Sequence, residues 1–436
     1  MKKYLFLWIA LVGLLAKGYA QELIPYSLTL EQAIEMGLQN HQQLKIADAG
    51  VDVSKHQLQT AKNQMLPSVE FSANAFYLGD VTVLNADWSK AQTVEMPHFG
   101  NTFGLQASQL LYRGGVIRKS IEIADLRNQL AELDRVANEQ DIKFLIISNY
   151  LDIQKLMNQI KVIEVNKTLA GQVLDNITKM YEEEMVTRNE LIRSELQIKN
   201  LEQTLLTMKN GHAILSNQLS YALGLPGDVL IITEESHYLR ISMQSLDFYS
   251  EMAHQRHPAL QMVEKNVEIA ESNIDIQKSN WFPAISAFGG YNMQRPLTAS
   301  MPPMDMYNNS WQAGLNLTFN LDNLYKNRQN VIVSKSQARV AQETLTLVQQ
   351  NIEIGVNAAF LKCREAEEQV YLMDEAKNLA NENYEIVQAK YLNQLAIMAE
   401  MTDASNAKLN AELQLVNAII NAQFQYYNLL KSTGTL

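Results

Sequence analysis

The stretch Trp311-Gln312-Ala313-Gly314-Leu315-Asn316-Leu317-Thr318-Phe319-Asn320 alternates apolar and polar residues. Its Gly314-Leu315 repeats the Gly104-Leu105 of Phe103-Gly104-Leu105-Gln106-Ala107-Ser108 at a spacing of 210. Alternation at period two gives a strand one apolar and one polar face. A second alternating segment precedes each of these. Val69, Phe71, Ala73, Ala75 and Tyr77 alternate with Ser68, Glu70, Ser72 and Asn74, while Ile285, Ala287, Gly289, Tyr291 and Met293 alternate with Ser286, Gly290 and Asn292. Leu44 and Leu66-Pro67 recur as Leu260 and Phe282-Pro283 at a spacing of 216, and Tyr181 and Gly224 recur as Tyr391 and Gly434 at 210. Solenoid units are roughly 20 to 50 residues long, so this is a duplicated half-molecule. The fall in spacing from 216 to 210 puts a six-residue deletion in the loop between the two strands of the second half.

Proline marks where the helices run. None of the nine prolines falls between His98 and Leu225 or after Pro303. From about Gly115 to Met180 the only internal glycine is Gly171, and a helix of that length would be roughly 100 Å long. No globular core buries such a helix, which must pack side by side with others in a bundle or barrel. After Met185, the positions Leu191, Ser194, Ile198, Leu201, Leu205, Met208, His212, Leu215 and Leu219 follow steps of three and four, the seam of a coiled coil. The second half places Leu409, Leu413, Val416, Ile420 and Phe424 on its stripe instead.

Lys2-Lys3, the apolar run Tyr4 to Leu15 and the small residues Gly18-Tyr19-Ala20 form a secretory signal peptide. Gln21 follows in place of a cysteine, so cleavage without lipidation is expected. Removing residues 1–20 leaves 33 basic and 47 acidic side chains, a net charge of −14, which excludes a nucleic-acid partner. The lone Cys363 excludes a disulfide framework and reads as a small core residue. Charged residues are 19% of the chain, below the usual figure of about 25%. Asn and Gln are abundant, as polar helix faces packed along two seams require.

No later segment is apolar enough to span a bilayer as a helix, so any membrane crossing must be made by strands. Four strands cannot close a water-filled barrel, and several chains would have to pool theirs. Period-two alternation would turn Phe71, Leu105, Leu315 and Leu317 to lipid and Gln106, Asn316 and Thr318 to a lumen. A soluble hairpin packed on a core is the other reading of these strands.

Four short motifs, taken in order with the duplication and the helix lengths, carry a resemblance to a known family. They are Ser27-Leu28-Thr29-Leu30-Glu31-Gln32-Ala33, Leu66-Pro67-Ser68, Leu223-Gly224-Leu225-Pro226 and Thr433-Gly434-Thr435-Leu436. Over its mature length the chain resembles the TolC-like outer membrane efflux proteins. The resemblance implies an α+β membrane protein in which each half gives two strands to a trimeric 12-strand outer membrane β-barrel. The long helices would form a periplasmic α-helical barrel. The expected organisation is a signal peptide (1–20), a first repeat (21–226; strands about 67–79 and 101–112, tip turn about 181–188), a linker (227–244) and a second repeat (245–436; strands about 283–293 and 310–320, tip turn about 391–398). The implied function is the exit duct of a tripartite efflux or secretion system in the cell outer membrane of a Gram-negative bacterium. Its implied partners are its own copies in a homotrimer, a periplasmic adaptor protein, an inner membrane transporter and outer membrane lipid. A type I protein secretion duct and a periplasmic coiled-coil scaffold are the alternatives.

The same resemblance implies the site residues. The family's tip turn is matched by Tyr181 to Leu191 and by Tyr391 to Ala404, with Glu184 and Gln394 where glycine usually stands. Because glycine would permit a left-handed residue there, their presence leaves the tip conformation open. Glu184, Met185, Thr187, Gln394, Leu395 and Ile397 are the expected adaptor contacts. Glu400 and Asp403, three apart on one helix face, are the expected periplasmic gate, with a solvated acidic face as the alternative. Glu190 and Arg193 hold those positions in the first half, so the two turns should be unequal. His254 and His257 could bind a metal, but His257 repeats His41 and precedes Pro258, which points to a structural role at a helix start. Met301, Met304 and Met306 could attract a soft metal, yet an adaptable loop fits them better. His212 reads as a packed histidine. No phosphate loop, nucleophile constellation or zinc motif is present, so neither an enzyme nor a cofactor is expected.

Overall fold

The computed structural model describes residues 24–234, 242–300 and 302–436. The signal segment, part of the expected linker and Met301 lie outside the described residues. In chain order the elements are β1 (Ile24–Leu28), α1 (Leu30–Asn40), α2 (Gln42–Lys62), β2 (Ser68–Tyr77), β3 (Val81–Leu84), β4 (Lys90–Val94), β5 (Phe99–Tyr112), α3 (Val116–Glu182) and α4 (Arg188–Leu223). They continue with β6 (Val229–Thr233), α5 (Leu246–Arg256), α6 (Pro258–Ser279), β7 (Ala284–Arg295), β8 (Asn308–Thr318), α7 (Asn323–Leu392) and α8 (Met398–Ser432). The chain forms two compact units. One comprises residues up to Asp48, Asp134–Leu260 and Gln349–Leu436, and the other comprises Ala49–Leu133 and Gln261–Val348. Each unit draws on both sequence repeats, because the repeats pair with each other and not each with itself.

In the second unit the alternating segments form one antiparallel sheet in the order β2-β5-β7-β8. Within the hairpins Ser72 faces Gly104 and Phe288 faces Gly314. These pairs are related by the same spacings of 216 and 210 that relate the repeats, so the duplication preserves strand register. β5 and β7 join the two hairpins, with Leu105 opposite Tyr291. One row of side chains on the apolar face is therefore Phe71, Leu105, Tyr291 and Trp311. The neighbouring row on the polar face is Glu70, Gln106, Gly290 and Gln312. The apolar face lies bare: Phe71 is 67% exposed, Trp311 80% and Leu315 71%. A soluble hairpin packed on a core would have covered them. The first-half loop carries the extra hairpin β3–β4, with Val81 opposite Val94, and this is where that half is longer. In the corresponding second-half loop Leu297 bridges to Met304, and Arg295 Nε and a second guanidinium nitrogen donate to the two Asp305 carboxylate oxygens at 2.7 and 2.8 Å.

In the first unit, a parallel pair that the sequence motifs did not reveal joins β1 to β6, with Ile24 opposite Val229. Leu28, Val229 and Ile231 from this pair enter a core with Ala33, Ile146, Tyr150, Leu219 and Leu223. Three polar side chains bind the strands to the helices. Tyr150 Oη donates to the Leu28 carbonyl at 3.0 Å, Ser216 Oγ accepts from the Ile231 N–H at 3.1 Å, and His212 Nε2 lies 2.7 Å from the Ile231 carbonyl. His212 is thus a packed residue on the seam. α1 starts with a capping box in which Gln32 N–H donates to Thr29 Oγ1 and Thr29 N–H to Gln32 Oε1, both at 3.1 Å. Ser194, Leu201, His212 and Leu219 of the α4 seam are buried. On α8 the stripe differs from the expected one. Ala404, Ala411, Ala418 and Ala422 are buried with Ile420, while Leu409, Leu413, Val416 and Phe424 are only half-buried. The small side chains let a neighbouring helix approach closely, a signal that a count of large apolar residues overlooks. The abundant amides link helices, as in Gln159 to Asn417 at 2.8 Å and Asn166 to Glu412 at 2.6 Å. Cys363 is buried among Tyr249, Val356 and Leu429. Burial pushes its thiol up to about 11, so it stays protonated and inert.

The two repeats build the same corner twice. His41 stands between α1 and α2, and His257 between α5 and α6, each with extended backbone. In each case the ring Nδ1 accepts from the backbone N–H two residues on, from Gln43 at 3.2 Å and from Ala259 at 3.2 Å. A left-handed glycine ending a long helix abuts each corner. A Cβ on Gly224 would lie 2.9 Å from Asn40, and one on Gly434 would lie 2.6 Å from the His257 Cα. The structural role expected for His257 is therefore a helix cap. His254 Nε2 instead lies 3.2 Å from Glu353.

Accepting at Nδ1 requires a neutral ring, and burial lowers the His257 pKa below its ordinary value. The cap therefore stabilises the fold above the ordinary imidazole pKa and is lost as pH falls through the lowered one. The melting temperature should drop between about pH 7 and pH 5. His257→Asn, whose amide oxygen caps at any pH, should flatten that part of the curve. Identical pH profiles for the two proteins would show that the cap carries no such coupling.

Candidate functional site

The tips between α3 and α4 and between α7 and α8 reflect how long helices end. A helix leaves its last carbonyls unpaired, and here both tips solve this in the same way. Glu184 and Gln394 adopt φ of 61°. Met185 N–H donates to the Met180 carbonyl at 2.8 Å and Glu184 N–H to Tyr181 at 3.0 Å, while Leu395 N–H donates to Lys390 at 2.8 Å and Gln394 N–H to Tyr391 at 2.9 Å. This is the Schellman closure that glycine normally provides. The open question of tip conformation is thus answered: glutamate and glutamine take the left-handed position. An L-residue there carries a strain of about 1–2 kcal/mol. Beyond the turn, Met185 (54%), Leu395 (78%) and Ile397 (66%) are exposed, and so are Glu184, Thr187 and Gln394.

The tips meet through a small core. Ile177, Tyr384, Tyr391, Met398 and Met401 are buried together, with Val173, Val186 and Leu191 against them. The equivalent tyrosines diverge: Tyr391 is 5% exposed and Tyr181 38%. Tyr391 Oη donates to Glu190 Oε2 at 3.1 Å, across from one tip to the other. Burial, and after it the Glu190 carboxylate, pushes the phenol up to about 12, so it stays a donor at every physiological pH. Lys408 Nζ lies 4.8 Å from the centre of the Tyr384 ring. No sequence motif marks this tether. Its one sequence signal is the retention of Tyr181 and Tyr391 at equivalent positions.

Glu400 and Asp403 lie in the first two turns of α8, both exposed. Glu400 turns back on its own helix, where its Oε2 accepts from the Ile397 N–H at 3.2 Å. It thereby supplies the N3 half of a capping box and a negative charge at the positive helix end. Its counterpart Glu190 makes the tether to Tyr391 instead, so equivalent acids have taken different work. Gln197 donates to Ser405 Oγ at 2.9 Å, binding α4 to α8 just beyond the acidic pair. Arg193 is one wall of a groove of about 320 Å³ there, shared with Thr402 and Asn406. Among the described residues no cluster of His, Cys, Asp or Glu could hold a metal, and no helix is long and apolar enough to cross a membrane. Met304 and Met306 are exposed in the second-half loop, while Met301 lies outside the described residues.

Residues 249–435 match the family model described as outer membrane efflux protein. No curated protein matches the chain. Its fold is similar to that of solved channels over nearly its whole length. It aligns with CusC at a TM-score of 0.78 and 16% identity, covering 93% of this chain and 92% of that one. The outer membrane protein VceC of Vibrio cholerae aligns at 0.78 and 16%, covering 93% and 96%. The outer-membrane channel OprN aligns at 0.79 and 14%, covering 93% and 90%.

If the tip residues carry left-handed strain, Glu184→Gly and Gln394→Gly should each relieve about 1 kcal/mol. Hydrogen exchange at the Met185 and Leu395 amides should then slow about fivefold. Unchanged or faster exchange would mean that tip packing, not backbone preference, sets local stability.

Proposed function

We propose that this chain is a TolC-like outer membrane efflux protein and forms one third of a trimeric channel that gives exported small molecules a path through the periplasm and the outer membrane. The observation that carries the reading is the sheet. Its strands of ten to fourteen residues match the length of tilted transmembrane strands. Its bare apolar face suits lipid, its polar face suits water, and the outer edges of β2 and β8 have no neighbour among the described residues. Such edges are not tolerated in hydrocarbon, so copies must close the barrel. Four strands from each of three chains give twelve. The channel belongs to the outer membrane of a Gram-negative cell, with the helical unit in the periplasm. The fold is similar to that of solved outer membrane channels, which supports a channel and not an enzyme.

The exposed Met185, Leu395 and Ile397, with Glu184, Thr187 and Gln394 around them, are the surface we assign to a periplasmic adaptor. The inner membrane transporter would couple through that adaptor. We assign Glu400 and Asp403 to the gate. Three copies would bring six carboxylates to one level, and mutual repulsion offset by cations would make the constriction cation-selective.

The test must separate charge from capping. Glu400→Gln keeps an oxygen for the Ile397 N–H while removing charge, and Asp403→Asn removes the second. The double variant in planar bilayers should show weaker cation selectivity and weaker block by multivalent cations while its tip helices stay intact. Recordings indistinguishable from wild type would return both acids to the role of a solvated, capping face. Glu190→Gln should affect selectivity less, because that carboxylate is engaged with Tyr391.

A further inference from the structure

On the polar face of the four strands, Glu70 is the only ionisable side chain among the described residues. Every other position there is Ser, Thr, Asn, Gln, Gly or Phe, apart from Leu110 at the bulge of β5 and Ala284 at the start of β7. Glu70 makes no hydrogen bond or ion pair among the described residues. It stands in the row Glu70, Gln106, Gly290, Gln312, beside the row Ser72, Gly104, Asn292, Ser310. Gly104 and Gly290 sit diagonally in adjacent rows, so the middle of the face has no side chains where its neighbours do. The result is a hollow of about 450 Å³ lined by Glu70, Gln106, Asn292, Gln312, Ser310 and Phe288.

A carboxylate left unpaired in a membrane-spanning strand is a costly feature unless it serves water or a ligand. The surroundings choose the ligand. Around the charge are amide and hydroxyl oxygens, which accept hydrogen bonds, and the Phe288 ring, which attracts a cation at its face. The volume falls in the range of small-molecule pockets, about 300–1,000 Å³, and far exceeds what a bare metal ion fills. A single carboxylate also gives too few charged oxygens to strip a divalent ion of its water.

Resting on the barrel reading above, we propose that Glu70 and the hollow beside it form a binding station for protonated organic amines on the inner wall of the barrel, three per channel. The carboxylate pairs with the ammonium group, Asn292 and Gln312 accept its remaining N–H bonds, and Phe288 covers the carbon chain. A neutral polar lumen with one acidic ring holds cations briefly without trapping them, as conduction requires.

Gln106→Cys in a Cys363→Ala background reports on the station. Its labelling is compared for a cationic and an anionic methanethiosulfonate applied from outside, so the periplasmic gate plays no part. The cationic reagent should react faster, and Glu70→Gln should reduce the ratio of the two rates at least about fivefold. Spermidine should slow labelling by a neutral methanethiosulfonate in the Glu70 protein and in Glu70→Asp, but not in Glu70→Gln. An unchanged ratio with unchanged spermidine protection, in a barrel where Gln106→Cys labels and Leu105→Cys does not, overturns the station and leaves the barrel standing. Leu105→Cys labelling as fast as Gln106→Cys overturns the barrel reading and the station with it. Heat-modifiable migration of each variant on gels confirms that it is assembled before it is compared.

Discussion

The two unpaired edges of one sheet govern the rest of the molecule. β2 and β8 each present a full row of backbone N–H and carbonyl groups with no partner strand among the described residues. In water such an edge invites aggregation, and in hydrocarbon each unpaired group costs several kcal/mol. The apolar face makes water an equally poor solvent for the sheet. Only closure by further strands satisfies both faces and both edges, and among the described residues the chain has no more strands of that length to give. Association is therefore a condition of the fold in the membrane, not an addition to it.

Duplication makes that closure economical of sequence, yet the two halves have drifted in ways that matter. The strand register and the His-Gly corners are kept: His41 with Gly224, and His257 with Gly434. The tips keep the same left-handed turn without glycine. On either side of that turn they differ. Tyr391 is buried and bonded to Glu190, whereas Tyr181 is exposed, and Glu400 caps its own helix, whereas Glu190 crosses to the other tip. One tyrosine thus holds the two tips to each other through a donor that never ionises in the physiological range. This makes the tip pair a unit whose separation needs the loss of that bond and of the Met398 and Met401 packing.

Period decides how much of the molecule was legible in the sequence. Alternation at two, as in Leu315 to Thr318, and the repeat spacing gave the strands, and proline exclusion gave the two long helices. The Thr29 to Gln32 spacing is itself a cap signature. The β1–β6 pair was not legible, because a parallel pairing between Ile24–Leu28 and Val229–Thr233 lies some two hundred residues apart, Ile24–Leu28 is only five residues long and Val229–Ile232 is an unbroken apolar run. The alanine stripe of α8 was missed because close packing selects small residues, which a search for large apolar ones ignores. At the candidate site, Glu400 was visible by position, but its use as a cap was not. That depends on which rotamer the helix end favours. Glu70 was read as one polar residue among several. Only the register, which sets it in a row with Gln106, Gly290 and Gln312, shows that it stands alone in charge.

Copies of the same chain are the partners that close the sheet's edges in the proposed channel. Native mass spectrometry of the protein extracted from outer membranes in mild detergent tests this closure most directly. The expected result is a single assembly of three chains, with no membrane-inserted monomer. A monodisperse monomer, soluble without detergent, would contradict it.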